Sequence, residues 1–164
     1  MRNSKFVIRN SRKGFSIIEL LLALGIVAII GAVSLMGLTG KRGRDEVEAT
    51  AKQIVALLRE AQSRSVSQSS STIWGVYMMN STDTAPFYAI FHTSYSTSTR
   101  QNYYRLPARV AYATSSIAGG SSATVTFTQL SGAASASTTV RLQLASDPNT
   151  YFDIHVASSG AVSY

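Results

Sequence analysis

The chain has 164 residues, which is enough for one ordinary domain with an appendage but short for two typical cores. It contains no cysteine, which excludes disulfides, zinc–thiolate sites, iron–sulfur clusters and thiol nucleophiles. The net charge is +7, but five basic residues and no acid lie before residue 14, and the remainder has ten basic residues against eight acidic ones. Because that remainder is nearly neutral, we do not expect a nucleic acid as a partner.

A long apolar segment dominates the first forty residues. Residues 15–38 contain one charge, Glu19, and no proline. The uncharged part, Leu20–Leu38, gives about 28 Å of helix, close to the ~30 Å thickness of a bilayer core. We predict a transmembrane helix over residues 15–40 that crosses the cytoplasmic (inner) membrane once. The positive-inside rule then predicts that residues 1–14 are cytoplasmic and that the rest of the chain is periplasmic or extracellular.

A secretory signal peptide is the competing interpretation of a basic leader followed by an apolar run. Its apolar core spans about 7–15 residues and ends at a small-residue cleavage site of the A-x-A type. The apolar run here is longer, and Met36–Gly40 provides no such site. Glu19 argues in the same direction, because a carboxylate in lipid costs a few kcal/mol and predicts a functional partner.

The residues around this acid resemble the prepilin cleavage and methylation motif of type IV pilins and pseudopilins. The segment Lys13–Leu21 reads KGFSIIELL. The resemblance implies that a prepilin peptidase/methyltransferase cuts after Gly14, removes the leader and methylates Phe15. It also implies an assembly role for Glu19, the fifth residue of the mature chain.

A physical reason for Glu19 follows from that cleavage. The new ammonium of Phe15 on a neighbouring subunit can pair with the Glu19 carboxylate, which offsets the burial of both charges and sets the stagger of adjacent helices. The resemblance further implies other pilins or pseudopilins, an inner-membrane assembly platform and the lipid bilayer as partners. It implies no cofactor.

A second helical pattern covers residues 41–68, and we predict an amphipathic helix that continues the membrane helix. Its apolar stripe, spaced by three and four residues, consists of Val47, Ala51, Ile54, Leu58, Ala61 and Ser65. Glu60 and Arg64 are four residues apart and are expected to form an ion pair. We interpret the basic cluster at residues 41–44 as an anchor at the membrane interface.

Residues 69–164 are predicted to form a mainly antiparallel β domain, so that the fold class is α+β with a long N-terminal helix packed on the sheet. Short runs rich in β-branched and aromatic residues predict strands at Thr72–Met79, Phe87–Thr93, Gln101–Leu106, Arg109–Ala113, Ala123–Gln129, Thr138–Leu144, Tyr151–Val156 and Ala161–Tyr164. A turn is predicted at Asp147–Asn149. Val140, Leu142 and Leu144 alternate with polar residues, which predicts one sheet face toward the helix and one toward water.

Two further segments resemble the H-type minor pseudopilins, the GspH/FimT-like branch. Residues 56–64 are similar to the point where the helix of that branch leads into its first strand, and residues 152–162 to its final hairpin. The resemblance implies a non-enzymatic minor subunit that initiates, caps or joins a type II secretion pseudopilus, supporting protein secretion, or a type IV pilus.

DNA uptake is the alternative function, because FimT-like pilins can bind DNA through a basic C-terminal end. Residues 158–164 here contain no lysine or arginine. Basic and aromatic residues alternate in one segment only, which contains Arg100, Arg105 and Arg109 with Tyr103 and Tyr104. These three arginines are the possible DNA contacts.

Catalytic and metal sites are not expected. The sequence has no G-x-S-x-G elbow and no phosphate-binding glycine loop. The two histidines, His92 and His155, lie in separate predicted strands without neighbouring carboxylate clusters.

Overall fold

The computed structural model describes residues 14–164, and for residues 33–41 it describes the backbone alone. The predicted leader therefore lies outside the described residues except for Gly14. The chain divides after Thr39 into two compact units, Met1–Thr39 and Gly40–Tyr164. Helix α1 covers Ile17–Val66. The predicted segment limits at residues 14, 40 and 68 stay predictions.

In the first unit, α1 begins directly after residues 14–16, which have no regular secondary structure. The amides of Glu19 and Leu20 both donate to the Ser16 carbonyl at 3.1 Å, which forms the first turn. All described side chains up to residue 32 are exposed. No helix in the described part of the chain is long and apolar enough to span a bilayer. The transmembrane helix predicted over residues 15–40 is not confirmed, and the side chains of residues 33–40 lie outside the description.

In the second unit, one side of α1 forms part of the core. Every member of the predicted stripe is fully buried: Val47, Ala51, Ile54, Leu58, Ala61 and Ser65. The predicted Glu60–Arg64 ion pair is present, with an N–O distance of 2.5 Å. The amphipathic pattern is thus confirmed, and α1 ends at Val66, two residues before the predicted end.

Eight strands follow a short 3-10 turn at Ser69–Ser71. They are β1 Trp74–Met79, β2 Phe87–His92, β3 Arg100–Arg105, β4 Val110–Tyr112, β5 Ser122–Phe127, β6 Thr138–Leu144, β7 Asp147–Val156 and β8 Val162–Ser163. They form two four-stranded sheets, sheet 1 with the order β3-β2-β1-β5 and sheet 2 with the order β4-β6-β7-β8. All strand pairs are antiparallel, and the predicted α+β class is confirmed.

The start of β7 differs from the prediction. The turn lies at residues 145–146, and Asp147 already pairs with Leu144 across the hairpin. The register then shifts until Tyr151 pairs with Gln143, which leaves the residues between as a bulge. The Asp147 carboxylate accepts hydrogen bonds from the Asn149 amide at 3.1 Å and the Thr150 hydroxyl at 2.7 Å, so it stabilises the bulge and not the turn.

The two sheets and α1 share one core. Trp74, the only tryptophan, is buried, and its amide donates to the hydroxyl of buried Ser65 at 2.8 Å. Tyr112 of β4 is buried too, and its hydroxyl donates to the Phe87 carbonyl of β2 at 3.2 Å. Burial raises the pKa of Tyr112. This bond fixes sheet 2 against sheet 1.

Two glycines allow the C-terminal hairpin to pack closely against α1. Gly132 and Gly160 have φ of +66° and +89°, which favour glycine. Gln62 of α1 donates to the Gly132 carbonyl at 3.0 Å, and a Cβ on Gly160 would lie 2.1 Å from that carbonyl oxygen. Arg59 donates to the Val162 carbonyl at 3.0 Å. Two polar contacts from α1 thus reach the region of β8.

Candidate functional site

The predicted cleavage junction lies directly before α1, in residues without regular secondary structure. Gly14 and Phe15 precede the helix, and both are exposed. No atom of the described residues lies within 4 Å of the position that a Cβ on Gly14 would occupy, and the Phe15 side chain is 82% exposed. A peptidase needs an accessible, non-helical backbone at the bond that it cuts. The described residues Gly14 and Phe15 are exposed and lie outside the helix.

Glu19 lies in the first turn of α1, four residues after Phe15. Its side chain is exposed among exposed apolar neighbours such as Ile17 and Leu20. No ion pair involves this carboxylate among the residues that the structure describes. An exposed apolar surface of this kind requires a lipid or protein partner, and the acid within it is available to a cation on such a partner.

Residues 9–35 match the family model described as the prokaryotic N-terminal methylation motif. The segment is a prepilin-type methylation motif. It indicates a pilin- or pseudopilin-type subunit, a class that is structural and in general non-enzymatic, and that interacts with other pilins and with a prepilin peptidase. No curated protein and no solved structure matches the chain.

The structure divides the three arginines of the possible DNA contact. Arg100 and Arg105 lie at opposite ends of β3, the edge strand of sheet 1. Arg109 precedes β4 of sheet 2, and its carbonyl accepts from the Ala145 amide at 2.8 Å beside the β6–β7 turn. Tyr104 turns inward and packs on the core. The basic and aromatic residues that alternate in the sequence thus lie on two separate surfaces of the second unit.

An aromatic cluster on the outer face of sheet 1 was not predicted from the sequence. Phe87 lies between Tyr77 and Tyr103, with ring centroids 6.0 and 4.8 Å away. Tyr95, from the loop after β2, stacks on Tyr77 at 3.6 Å. The guanidinium of Arg100 lies 4.5 Å from the ring centroid of Tyr103. This face combines partly exposed rings with a cation.

A sequence signal for this cluster was available. The strands WGVYMM and FYAIFH carry apolar residues at both odd and even positions. Strands of that kind are covered on both faces, whereas the alternation in β6 indicates cover on one face only. The outer face of sheet 1 is covered by the loop 93–99, which contains Tyr95.

The histidines take part in local packing. His92 lies 5.4 Å from Trp74 between ring centroids, and His155 shares a hydrogen bond of 3.0 Å with Thr139. Among the residues described, no group of three or more histidine, cysteine, aspartate or glutamate side chains could hold a metal ion.

Proposed function

We propose that the chain is the precursor of a minor pilin or pseudopilin of the H-type, GspH/FimT-like branch. In this proposal it initiates, caps or joins a type II secretion pseudopilus, supporting protein secretion, or a type IV pilus. The observation that carries the proposal is the accessible Gly14–Phe15 junction, inside a matched methylation motif and followed by Glu19 in the first helical turn.

We further propose that residues 15–40 anchor the precursor in the inner membrane, with the basic leader on the cytoplasmic side. Support comes from the single charge in residues 15–38 and from the basic leader before them, inside the matched methylation motif. Cleavage after Gly14 would remove five basic residues that hold the N-terminus in the cytoplasm. The mature chain could then leave the membrane for a filament, where an assembly platform would receive it.

Contacts within the second unit support the H-type branch. The two segments whose sequences resemble that branch, residues 56–64 and 152–162, contact each other. Arg59 binds the Val162 carbonyl, and Gln62 lies against the Gly160 turn. Both resembling segments thus belong to one packed region.

Mass spectrometry of the protein from its native host tests the proposal. N-methylated Phe15 is the expected first residue, and a first residue near Gly40 would contradict the pilin assignment. Gly14→Leu should block cleavage because its side chain must fit the peptidase at the scissile bond, whereas Gly14→Ala should allow partial cleavage. Both variants should leave the described fold unchanged, because a Cβ on Gly14 would meet no atom of the described residues within 4 Å.

Capture of single-stranded DNA is a second candidate, favoured by the outer face of sheet 1. Arg100 stacks on Tyr103, and Arg105 lies on the same strand. No ion pair involves either arginine among the described residues. Partly exposed rings beside cations that form no ion pair are suitable components of a single-strand site.

A binding titration separates this candidate from the first. The full chain in neutral detergent would be titrated with a thymidine oligonucleotide at several salt concentrations. If the face binds DNA, replacing Arg100 and Arg105 with alanine should make the log–log salt slope less steep by about 1.4, since each phosphate contact contributes ~0.7. Arg109→Ala is the control and should leave the slope unchanged. Absence of salt-dependent binding would remove the candidate.

A further inference from the structure

The second unit contains a cleft of about 400 Å³, which opens beside the part of α1 around Arg44. It is lined by Arg44 of α1 and by Asn149, Thr150 and Tyr151 of β7. Its volume falls in the range of small-ligand sites, roughly 300–1,000 Å³. Among the lining residues that the structure describes, Arg44 is the only charged one. The cleft therefore favours an anionic ligand of small size.

The charge of Arg44 is not compensated by direct contact in the described residues. Its guanidinium lies 5.9 Å from the centroid of the Phe152 ring, and no ion pair of Arg44 is found there. Two acids lie nearby: Asp147, which is bound to two of the lining residues, and Glu48, whose pKa is lowered chiefly by its hydrogen bond with Lys52 and also by the charge of Arg44. Glu48 pairs with Lys52 at 2.7 Å, and the Asp147 carboxylate accepts the Asn149 amide and the Thr150 hydroxyl.

The donors around the cleft suit a phosphate group. A guanidinium presents several N–H donors in a planar fork that matches phosphate oxygens. The Asn149 side-chain amide and the Tyr151 hydroxyl can add neutral donors beside it. The Thr150 hydroxyl already donates a hydrogen bond to Asp147. Thr150 therefore stabilises the bulge that shapes the cleft.

The position of Arg44 in the chain identifies the source of that phosphate. Arg44 follows the apolar segment that ends at Leu38 and lies in the basic run KRGR at residues 41–44. Gly43 is buried, and a Cβ there would lie 2.9 Å from Leu144, so this part of α1 approaches the β6–β7 turn closely. If residues 15–40 were anchored in a bilayer, Arg44 would follow the end of the anchor by four residues in the sequence and would therefore lie close to the lipid headgroups.

We propose that this site, the Arg44 cleft, binds the phosphate headgroup of an anionic phospholipid. The proposal rests on the membrane anchoring given under the proposed function. It goes beyond a general attraction between basic residues and a membrane surface, because one guanidinium and the β7 bulge form a defined cleft. Its role would be to hold the β domain against the membrane until the subunit enters the filament.

Amide hydrogen exchange of residues 147–151 provides the test. The full chain in neutral detergent would receive short-chain phosphatidylglycerol, short-chain phosphatidylcholine or inorganic phosphate. Some amides of this segment exchange only when the cleft opens and the lipid has left. Phosphatidylglycerol at ten times its Kd should slow the exchange of those amides by about tenfold. Phosphatidylcholine should have no effect. An equal effect of inorganic phosphate would overturn the lipid as the source.

Arginine variants test the location. Arg44→Gln should abolish the effect, and Arg44→Lys should retain part of it because the charge remains without the planar fork. Arg42→Gln is the matched control, since Arg42 is exposed and outside the cleft lining. Equal losses in Arg42→Gln and Arg44→Gln would show diffuse attraction and overturn the cleft. Trp74 fluorescence checks that each variant is folded.

The failure of the cleft and the failure of the proposed anchoring are distinguishable. The detergent experiments need no inserted chain, so they report on the cleft alone. Insertion would be measured separately by recovery of the full chain in phosphatidylcholine nanodiscs. A chain that stays outside nanodiscs would contradict the anchoring, whereas unchanged exchange with phosphatidylglycerol would overturn the Arg44 cleft.

Discussion

Replacing Gly160 with alanine should destabilise the second unit strongly. Gly160 has φ of +89°, a conformation that costs alanine about 1–2 kcal/mol. A Cβ there would also lie 2.1 Å from the Gly132 carbonyl oxygen and 2.3 Å from Nε2 of Gln62. One of these contacts is with backbone, so the C-terminal turn itself must move.

The magnitude follows from what that movement breaks. Displacing the turn removes the hydrogen bond from Gln62 to Gly132, worth about 1 kcal/mol, and adds overpacking strain of about 1–3 kcal/mol. Together with the backbone cost, we expect a loss of about 3–6 kcal/mol in the free energy of unfolding for Gly160→Ala. That is a large part of the roughly 5–15 kcal/mol of a typical domain.

Gly120→Ala is the matched control. Gly120 has φ of +76°, but nothing lies within 4 Å of its Cβ position. It should therefore show the backbone cost alone, about 1–2 kcal/mol. Urea unfolding of the full chain in detergent, followed by fluorescence of buried Trp74, measures both variants. Equal losses for the two glycines would refute the reasoning that the Gly160 turn is fixed by its contact with Gly132 and Gln62.

Three further predictions concern Glu19, Ser65 and Asp153. Glu19→Leu should leave cleavage and membrane levels normal but remove the protein from sheared filaments, and unchanged incorporation would contradict the assembly role. Ser65→Ala leaves the buried Trp74 amide without its acceptor and should cost about 1–3 kcal/mol in urea unfolding; a loss near zero would show that this bond is dispensable. The hydrogen bonds from Arg141 lower the pKa of Asp153, so this pair stabilises the fold above the ordinary carboxyl pKa near 3.8 and loses its contribution as the pH falls through the lowered value. Asp153→Asn should therefore lower stability slightly at pH 6, by about 1 kcal/mol or less for so exposed a pair, and this difference should shrink as the pH falls below the ordinary carboxyl value near 3.8; a pH-independent difference would contradict this.

Local patterns predicted much of the second unit. The period of three and four residues from Val47 to Ser65 identified the buried side of α1, because helical geometry alone places these residues on one face. The alternation in β6 likewise predicted burial of Val140, Leu142 and Leu144, which the structure confirms. Both signals are local, so they need no knowledge of what packs against them.

The strand order could not be predicted in the same way. β5 pairs with β1, whereas β4, which precedes β5, pairs with β6 of the other sheet. Gly75 in β1 shows the consequence, because a Cβ there would lie 2.5 Å from the Val125 carbonyl oxygen of β5. In the sequence this glycine only weakens a predicted strand. Its reason, the close approach of a strand distant in the chain, exists only in the folded protein.

The arginines of the second unit explain why total charge was a poor guide to partners. Arg59, Arg64 and Arg141 are each used inside the fold: Arg59 binds a carbonyl of β8, Arg64 pairs with Glu60, and Arg141 pairs with Asp153.

The guanidinium groups of Arg44 and Arg100 each lie over an aromatic ring and form no ion pair among the described residues, and each lies at a place where an anion could approach. Two different ligands follow from their surroundings. A defined polar cleft next to an apolar segment suits a lipid phosphate, whereas a row of partly exposed rings suits nucleobases. Loss of lipid binding in Arg44→Gln with DNA binding unchanged, and the converse in Arg100→Ala, would show that the two surfaces act independently.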